Sequence, residues 1–516
     1  MPEWRPPEGL ESFAGTIKVS LATLGSGDYH CPASTAMKAR CLRPVIRPAR
    51  KPTLLEDFTF GPFMAALDEA EGIQRRPRPA KRRPMHDGLR MWTAHAQAMY
   101  RQAFPTDSDL VPARIPWVYR INLRTPDRRG AIRYEISVWS RQLTSADGKI
   151  RELRLPVTRG DRHRTDAERS IAALVAAEGA PAPLPEHVRV LQVGVFDGHV
   201  EPLFEGGREA ARALFEVYGK EELEKAVDST EYRPGFACTK CSYVSVCPVL
   251  KRAPGLLGIE DRQRPRRSWS PSNGRAYRAC ATRDYLRRLN LPVDWAIEHS
   301  PTAERGRAVH DFLARRHDVE PQRRCTLDIP AGWIDAKYRL PDDEQLLGLQ
   351  LLRHHAAVCP LRHAEPGSVR VEPSLTFIDE DADIIVITKP DLLYRDGDSW
   401  VWREVKTRLR EKRWSPDLLE GNPQLALAVL LVERGELGGS RTRARVELEV
   451  LHPGGADLEV IDPFTSSVRR AAEAVLHEHV RDWHTDDRAI PRPGPECARC
   501  EVARWCTARA VDGAAQ

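Results

Sequence analysis

Residues 383–408, DIIVITKPDLLYRDGDSWVWREVKTR, begin as an apolar, β-branched run, turn at Asp396-Gly397-Asp398 and continue with alternating side chains. Such runs on either side of an Asp-Gly turn predict a β-hairpin. Residues 115–140, IPWVYRINLRTPDRRGAIRYEISVWS, repeat the order of strand, polar turn and strand. After each hairpin the pattern reads helix, strand, helix. In the second half these segments are NPQLALAVLLVER (422–434), RVELEVLH (445–452) and SSVRRAAEAVLHEHVRDW (466–483). In the first half they are DAERSIAALVAAE (166–178), HVRVLQVGVF (187–196) and REAARALFEVY (208–218). Upstream, STAMKARC (34–41) and SNGRAYRAC (272–280) read as short helices that end at Cys41 and Cys280. Alternating strands and helices predict an α/β core around a mixed sheet.

The two series close on matching segments, RPGFACTKCSYVSVC (233–247) and RPGPECARCEVARWC (492–506). Each has Arg-Pro-Gly, two free positions, Cys-x₂-Cys, five residues and a third Cys. A match over so many fixed positions predicts two copies of one fold. The expected domains are 1–258 and 272–510, joined by a linker at 259–271 whose Pro and Arg content suits an exposed connection.

At 516 residues the chain is long enough for two or three cores. With 41% hydrophobic and 29% charged residues it reads as a soluble globular protein. No apolar run approaches the roughly 18 residues of a membrane span, and MPEWRPPEGLESF lacks a secretory core. A cytoplasmic location without a membrane partner is expected. Eleven cysteines there read as metal or cluster ligands rather than a disulfide framework. A formal charge of +6 allows a nucleic-acid partner without demanding one.

Each cysteine triple needs a fourth ligand. The repeat nominates Cys41 for Cys238, Cys241 and Cys247, with Cys31 a nearby competitor, and Cys280 for Cys497, Cys500 and Cys506. Structural zinc sites usually draw ligands as two nearby pairs. A cubane of four irons and four sulfurs (4Fe–4S) accepts thiolates from more scattered positions. Spacing alone keeps both open and favours the iron–sulfur cluster. Either would tie the first helix of a copy to its C-terminal segment. Cys325 and Cys359 lack a partner motif and are expected as small buried hydrophobes.

Asp391, Glu404 and Lys406 form Pro-Asp-x₁₂-Glu-x-Lys. On a strand, Glu404 and Lys406 share a face, and Asp391 on the neighbouring strand can lie beside them. Two carboxylates with a cation suit Mg²⁺ or Mn²⁺. Such an ion polarises a phosphodiester and lowers the pKa of a bound water, which the lysine orients. Glu-x-Lys alone is also an ordinary exposed strand face. Around it lie ERGRAVHDFLARR (304–316), read as a helix carrying His310; SVRVEPSLTF (368–377), a strand carrying Glu372; and Gln424, which opens the next helix.

Taken in order, Cys280, His310, Glu372, Pro390-Asp391, Glu404-x-Lys406, Gln424 and Cys497-x₂-Cys500-x₅-Cys506 resemble the RecB-type branch of the PD-(D/E)xK nucleases. The likeness is to its iron–sulfur members, which include CRISPR-adaptation exonucleases and AddB-type repair nucleases. It covers about residues 268–510. It implies a restriction-endonuclease-like domain: a central mixed sheet flanked by helices and closed by a cluster held on four cysteines. By the same resemblance His310, Asp391, Glu404 and the Val405 carbonyl bind metal, Lys406 serves the attacking water and Gln424 positions substrate or lysine. It further favours 4Fe–4S over zinc, one cluster in each half.

The first half departs from this pattern. Aligned without a gap, Asn122 stands at Asp391, Asp127 at Asp396, Glu135 at Glu404 and Ser137 at Lys406, while His86 is a candidate counterpart of His310. The expectation is therefore an inactive first copy before an active one. QRRPRPAKRRP (74–84) reads equally as a phosphate track or a solvated basic loop. The chain carries no GxxxxGK[ST] phosphate loop, so a separate helicase, or another repair or defence protein, would supply any unwinding. The expected function is Mg²⁺- or Mn²⁺-dependent cleavage of single-stranded or end-containing DNA, as an exonuclease or flap-type enzyme. The alternative is a non-catalytic, nucleic-acid-binding iron–sulfur scaffold.

Overall fold

The computed structural model describes residues 4–12, 15–25, 30–45, 58–73, 85–105, 109–124, 131–181, 183–320, 323–363, 367–409 and 418–509. The basic stretch 74–84 and Asp127 lie outside these. The chain divides into two compact units. The first comprises Met1–Val249, Leu286–Pro292 and Trp505–Thr507; the second comprises Leu250–Tyr285, Val293–Arg504 and Ala508–Gln516. No helix among the described residues is long and apolar enough to cross a membrane.

The first unit runs β1 (Leu10–Ser12), β2 (Thr16–Ser20), α1 (Pro32–Ala39), β3 (Leu42–Pro44), α2 (Phe60–Ala70), α3 (Asp87–Ala103) and β4 (Leu110–Pro112). It continues with β5 (Val118–Arg124), β6 (Ala131–Ser137), β7 (Arg141–Ser145), β8 (Ile150–Val157) and α4 (Asp166–Glu178). It ends with β9 (His187–Gly194), β10 (Val200–Gly207), α5 (Arg208–Leu214) and α6 (Lys220–Val227). One sheet has the order β2-β6-β5 and a second β4-β7-β8-β9-β10. Helix α4 begins at a capping box, with Thr165 and Glu168 satisfying each other's backbone amides. Its Ile171–Ala177 stretch is fully buried, consistent with the continuous apolar run that predicted it.

The second unit runs β11 (Lys251–Arg252), β12 (Arg267–Trp269), α7 (Pro271–Ala279), α8 (Ala281–Arg288), α9 (Trp295–Glu298), α10 (Pro301–His317) and α11 (Asp342–Val358). Then come β13 (Val369–Val371), β14 (Leu375–Asp379), β15 (Ile384–Thr388), β16 (Leu392–Asp396) and β17 (Ser399–Thr407). It closes with α12 (Leu418–Gly421), α13 (Pro423–Glu433), β18 (Arg445–His452), β19 (Gly455–Ile461) and α14 (Ser466–Thr485). Its sheets have the orders β11-β14-β15-β12 and β13-β16-β17-β18-β19. Trp402, α13 and α14 share one core. Val405 packs with α10 and α11 in another, so the larger sheet is covered on both faces.

Two expectations change here. The run 384–388 and the stretch after Pro390 are not one strand: β15 pairs with β14, whereas β16 pairs with β17 in the other sheet. Proline has no amide for a ladder, so the break falls beside Pro390. The segment expected as a linker contributes β12, paired in parallel with β15, and buries Trp269 completely.

Strand directions correct the alignment of the halves. β13-β16-β17-β18-β19 is antiparallel throughout except for the parallel pair β17–β18. β4-β7-β8-β9-β10 has the same order, with β8–β9 its parallel pair. Likewise β2 runs parallel to β6 and β6 antiparallel to β5, as β12 does to β15 and β15 to β14. The counterpart of the β16–β17 hairpin is therefore β7–β8, and residues 115–140 correspond to β14–β15. Asn122 stands opposite Arg133 rather than Glu135. Glu135 pairs with Arg120 at 3.0 Å. Ser137 lies opposite Val118, and His86 caps α3, its Nδ1 accepting from the Gly88 amide at 3.1 Å. On β8 the residues packed in the core with α4 are Leu153 and Leu155, and Gln142 stands opposite Leu153.

Candidate active site and cysteine clasps

β17 is buried from Ser399 to Val405. Its alternation sends Trp402, Glu404 and Lys406 to the face covered by α13. Asp391 lies one residue before β16, whose first residue, Leu392, pairs with Arg403, so its carboxylate comes to the end of β17. Its Oδ2 accepts the Val405 amide at 2.7 Å, and its Oδ1 lies 3.2 Å from His310 Nδ1 on α10. Glu404 is buried (1% exposed), whereas Asp391 and Lys406 are 21% and 34% exposed. Lys406 Nζ stands 3.3 Å from Glu404 Oε2 and 3.8 Å from Asp391 Oδ2. The other oxygen of Glu404 accepts from Trp402 Nε1 at 2.8 Å and from Gln424 Nε2 at 2.7 Å. Gln424 also donates to the Lys389 carbonyl at 3.2 Å, tying α13 to the turn before Asp391.

These charges act on one another. Burial, then the Asp391 charge, pushes Glu404 up to about 7. Burial opposes ionisation of Asp391 as well, but His310 and Lys406 outweigh it and hold Asp391 at about 2. Burial pulls His310 down; the Asp391 carboxylate more than offsets this and leaves it raised. Lys406 is raised for the same reason, burial being outweighed by Glu404 and Asp391. Two carboxylates that cannot ionise together without strain, an imidazole and a lysine form a site that gains from a divalent cation.

Residues 268–507 match the family model of the PD-(D/E)XK nuclease superfamily.

Pro390-Asp391 and Glu404-Val405-Lys406, the residues gathered here, lie inside that segment. No curated protein matches the chain. A solved structure described as "Crystal structure of SSO0001" aligns over 47% of this chain and 88% of its own, at 14% identity and a TM-score of 0.25.

Sequence reasoning missed two contributors. Trp402 holds Glu404, and its place two residues earlier on the same strand face was the available signal. Arg275 of α7 feels the Glu404 charge, although burial lowers it overall. Only the packing of α7 beside α13 brings it near. Glu372 follows β13 in a left-handed conformation (φ 43°); its amide donates to the Asp391 carbonyl and its side chain pairs with Lys389.

The two cysteine segments fold alike. Each has a 3₁₀ turn, Phe236–Lys240 or Pro495–Arg499, followed by a second short one. In each, the glycine amide of Arg-Pro-Gly points at the first cysteine sulfur at 3.4 Å: Gly235 to Cys238 and Gly494 to Cys497. Amide-to-sulfur contacts of this kind suit thiolates that carry metal. Burial, and then the thiols of Cys241, Cys247 and Cys31, push Cys238 up to about 11. Cys31 acts electrostatically on Cys238 and Cys241, whereas Cys41 turns its sulfur to the carbonyls of Thr16 and Ala39. Cys280 accepts the Arg492 amide at 3.4 Å and acts electrostatically on Cys500. Cys506 follows the second short turn, Ala503–Trp505.

Proposed function

We propose that this protein is a metal-dependent deoxyribonuclease whose active centre lies in its second half and whose first half is a decayed copy of the same fold. The observation that carries this reading is the convergence of His310, Asp391, Glu404 and Lys406 at the ends of β16 and β17, within the segment that matches the nuclease superfamily. The donor set fits a hard divalent cation. Asp391, Glu404, His310 and the Val405 carbonyl would hold Mg²⁺ or Mn²⁺. Bound there, the ion would polarise the phosphodiester and acidify an attacking water. Trp402 and Gln424 occupy one oxygen of Glu404 and leave the other facing Lys406. Lys406, kept charged by two carboxylates, orients the water, and Arg275 offers a second positive charge for phosphate. DNA that is single-stranded or presents an end is the proposed substrate, cut as an exonuclease or flap-type enzyme.

The topology shared by the two units supports duplication, and Leu153 and Leu155 in the core beneath α4 support loss of catalysis in the first. We assign Cys31, Cys238, Cys241 and Cys247 to one 4Fe–4S cluster, and Cys280, Cys497, Cys500 and Cys506 to another. Each would staple the start of its copy to the end. A separate helicase or repair or defence protein remains part of this proposal, and the location proposed is the cytoplasm.

The test is single-turnover cleavage of end-labelled single- and double-stranded DNA by anaerobically purified protein. Lys406→Ala should lower the Mn²⁺-dependent rate about 100-fold or more while DNA is still bound. Wild-type protein that binds DNA and cuts none with either metal would instead establish the scaffold reading.

A further inference from the structure

Four side chains in the second unit, remote in sequence from both cysteine clasps, meet on the α10–α11 side of the larger sheet. His317 is the last residue of α10, His355 lies in the last turn of α11, Cys359 caps α11, and Cys325 lies in the segment between the helices. All four are buried, at 4%, 0%, 7% and 6% exposure for His317, His355, Cys359 and Cys325. One ligand atom from each lies within 4.8 Å of all the others. The Nε2 atoms of His317 and His355 face each other at 3.3 Å. His317 Nε2 is 3.3 Å from Cys325 Sγ and 3.9 Å from Cys359 Sγ.

An apolar core is a poor home for this group. Ala356, Leu361, Val369, Leu392 and Val401 surround the thiols. Two imidazole nitrogens that face one another can share one proton, but the two thiols beside them are weak partners and the apolar wall offers none. His355 Nδ1 lies 2.5 Å from Glu449 Oε1 and donates to that carboxylate, which leaves Nε2 as the nitrogen turned to the other three side chains. A carboxylate behind a histidine is the usual support of a metal-binding imidazole. Glu449 in turn accepts from Arg403 at 3.1 Å, which balances its charge.

We propose that His317, Cys325, His355 and Cys359 bind one tetrahedral divalent ion of the zinc class, a structural site separate from the Asp391–Glu404 centre. Metal–nitrogen and metal–sulfur bonds of about 2.0–2.3 Å set tetrahedral ligands about 3.3–3.8 Å apart. The three distances above lie on or close to that range. Two thiolates neutralise the ion and two neutral imidazoles complete it, so the occupied site carries no net charge into the core. Sulfur with imidazole, and no open position, selects zinc over Mg²⁺ or Mn²⁺. The ion would pin the end of α10 to the end of α11 and, through Glu449, to β18. His310 lies two turns before His317 on the same face of α10, so the pin would also hold the helix that presents His310 to Asp391.

Metal analysis of the full-length protein tests this. Wild-type chain should carry one zinc that Cys325→Ser/Cys359→Ser loses, with iron content unchanged. Zinc absent from the wild type, or equally present in the double variant, overturns the site, as does a Cys325–Cys359 disulfide found by mass spectrometry. X-ray absorption at the zinc edge needs no variant and guards against one that fails to fold. It should show a shell of two nitrogens and two sulfurs; an all-sulfur shell overturns the assignment. None of these readings depends on DNA cleavage.

Discussion

At the scale of single residues, the cysteines show how little sequence position says about spatial neighbours. Cys41 ends the helix-like stretch that mirrors the one ending at Cys280, yet its sulfur faces backbone carbonyls, and it is the cysteine before α1 that acts electrostatically on the triple. This separates two variants sharply. Cys31→Ser should remove one cluster, about four irons per chain, whereas Cys41→Ser should leave iron unchanged. Iron analysis of anaerobic preparations decides, and the opposite pattern would restore Cys41. The acid–acid–lysine centre was legible in sequence because strand alternation fixes which side Glu404 and Lys406 share. Trp402 and Arg275 were not, since neither type marks a site until packing aims it.

At the scale of elements, α7 and α14 pack around a buried histidine. His479 is 3% exposed, and Arg278 Nη1 lies 3.1 Å from its Nε2. Burial, then the Arg278 charge, lowers it to about 4. It therefore folds neutral, while the unfolded chain takes up a proton below about 6.5. The associated stability is complete above pH 6.5 and is lost as the pH falls towards 4, up to about 3 kcal/mol. His479→Gln should lack that loss, so the difference in unfolding free energy between variant and wild type should shrink from pH 7 to pH 4. A constant difference in urea titrations would contradict this. Helix α13 and strand β18 were readable almost to the residue, because a continuous apolar run has one solution between a sheet and a second helix. The split between β15 and β16 was not, because both strands are apolar and only sheet membership distinguishes them.

At the scale of the whole molecule, the larger sheets of the two units share strand order and direction, while the α4 side of β8 carries Arg151, Leu153 and Leu155. Glu135, which sequence alignment placed at the catalytic glutamate, sits instead among Arg120, Arg133 and Lys18. Glu135→Gln should leave DNA cleavage unchanged and shift stability by no more than about 1 kcal/mol, the usual worth of a partly exposed ion pair. A large fall in cleavage would return a catalytic role to the first half. The repeated clasp was visible in the sequence, but the gapless alignment set one hairpin on another that differs from it in strand order, because strand–turn–strand looks the same in both.

Sequence by itself determined the alternation of strands and helices, the doubled cysteine segment and the face shared by Glu404 and Lys406. These follow from local periodicity and fixed spacing, which a linear chain records. The tertiary structure alone decided which hairpins match in strand order, that Cys41 turns its sulfur to backbone carbonyls, and that His317, Cys325, His355 and Cys359 meet. Those depend on sheet membership and helix packing, which bring together residues tens to hundreds of positions apart and leave no periodic trace.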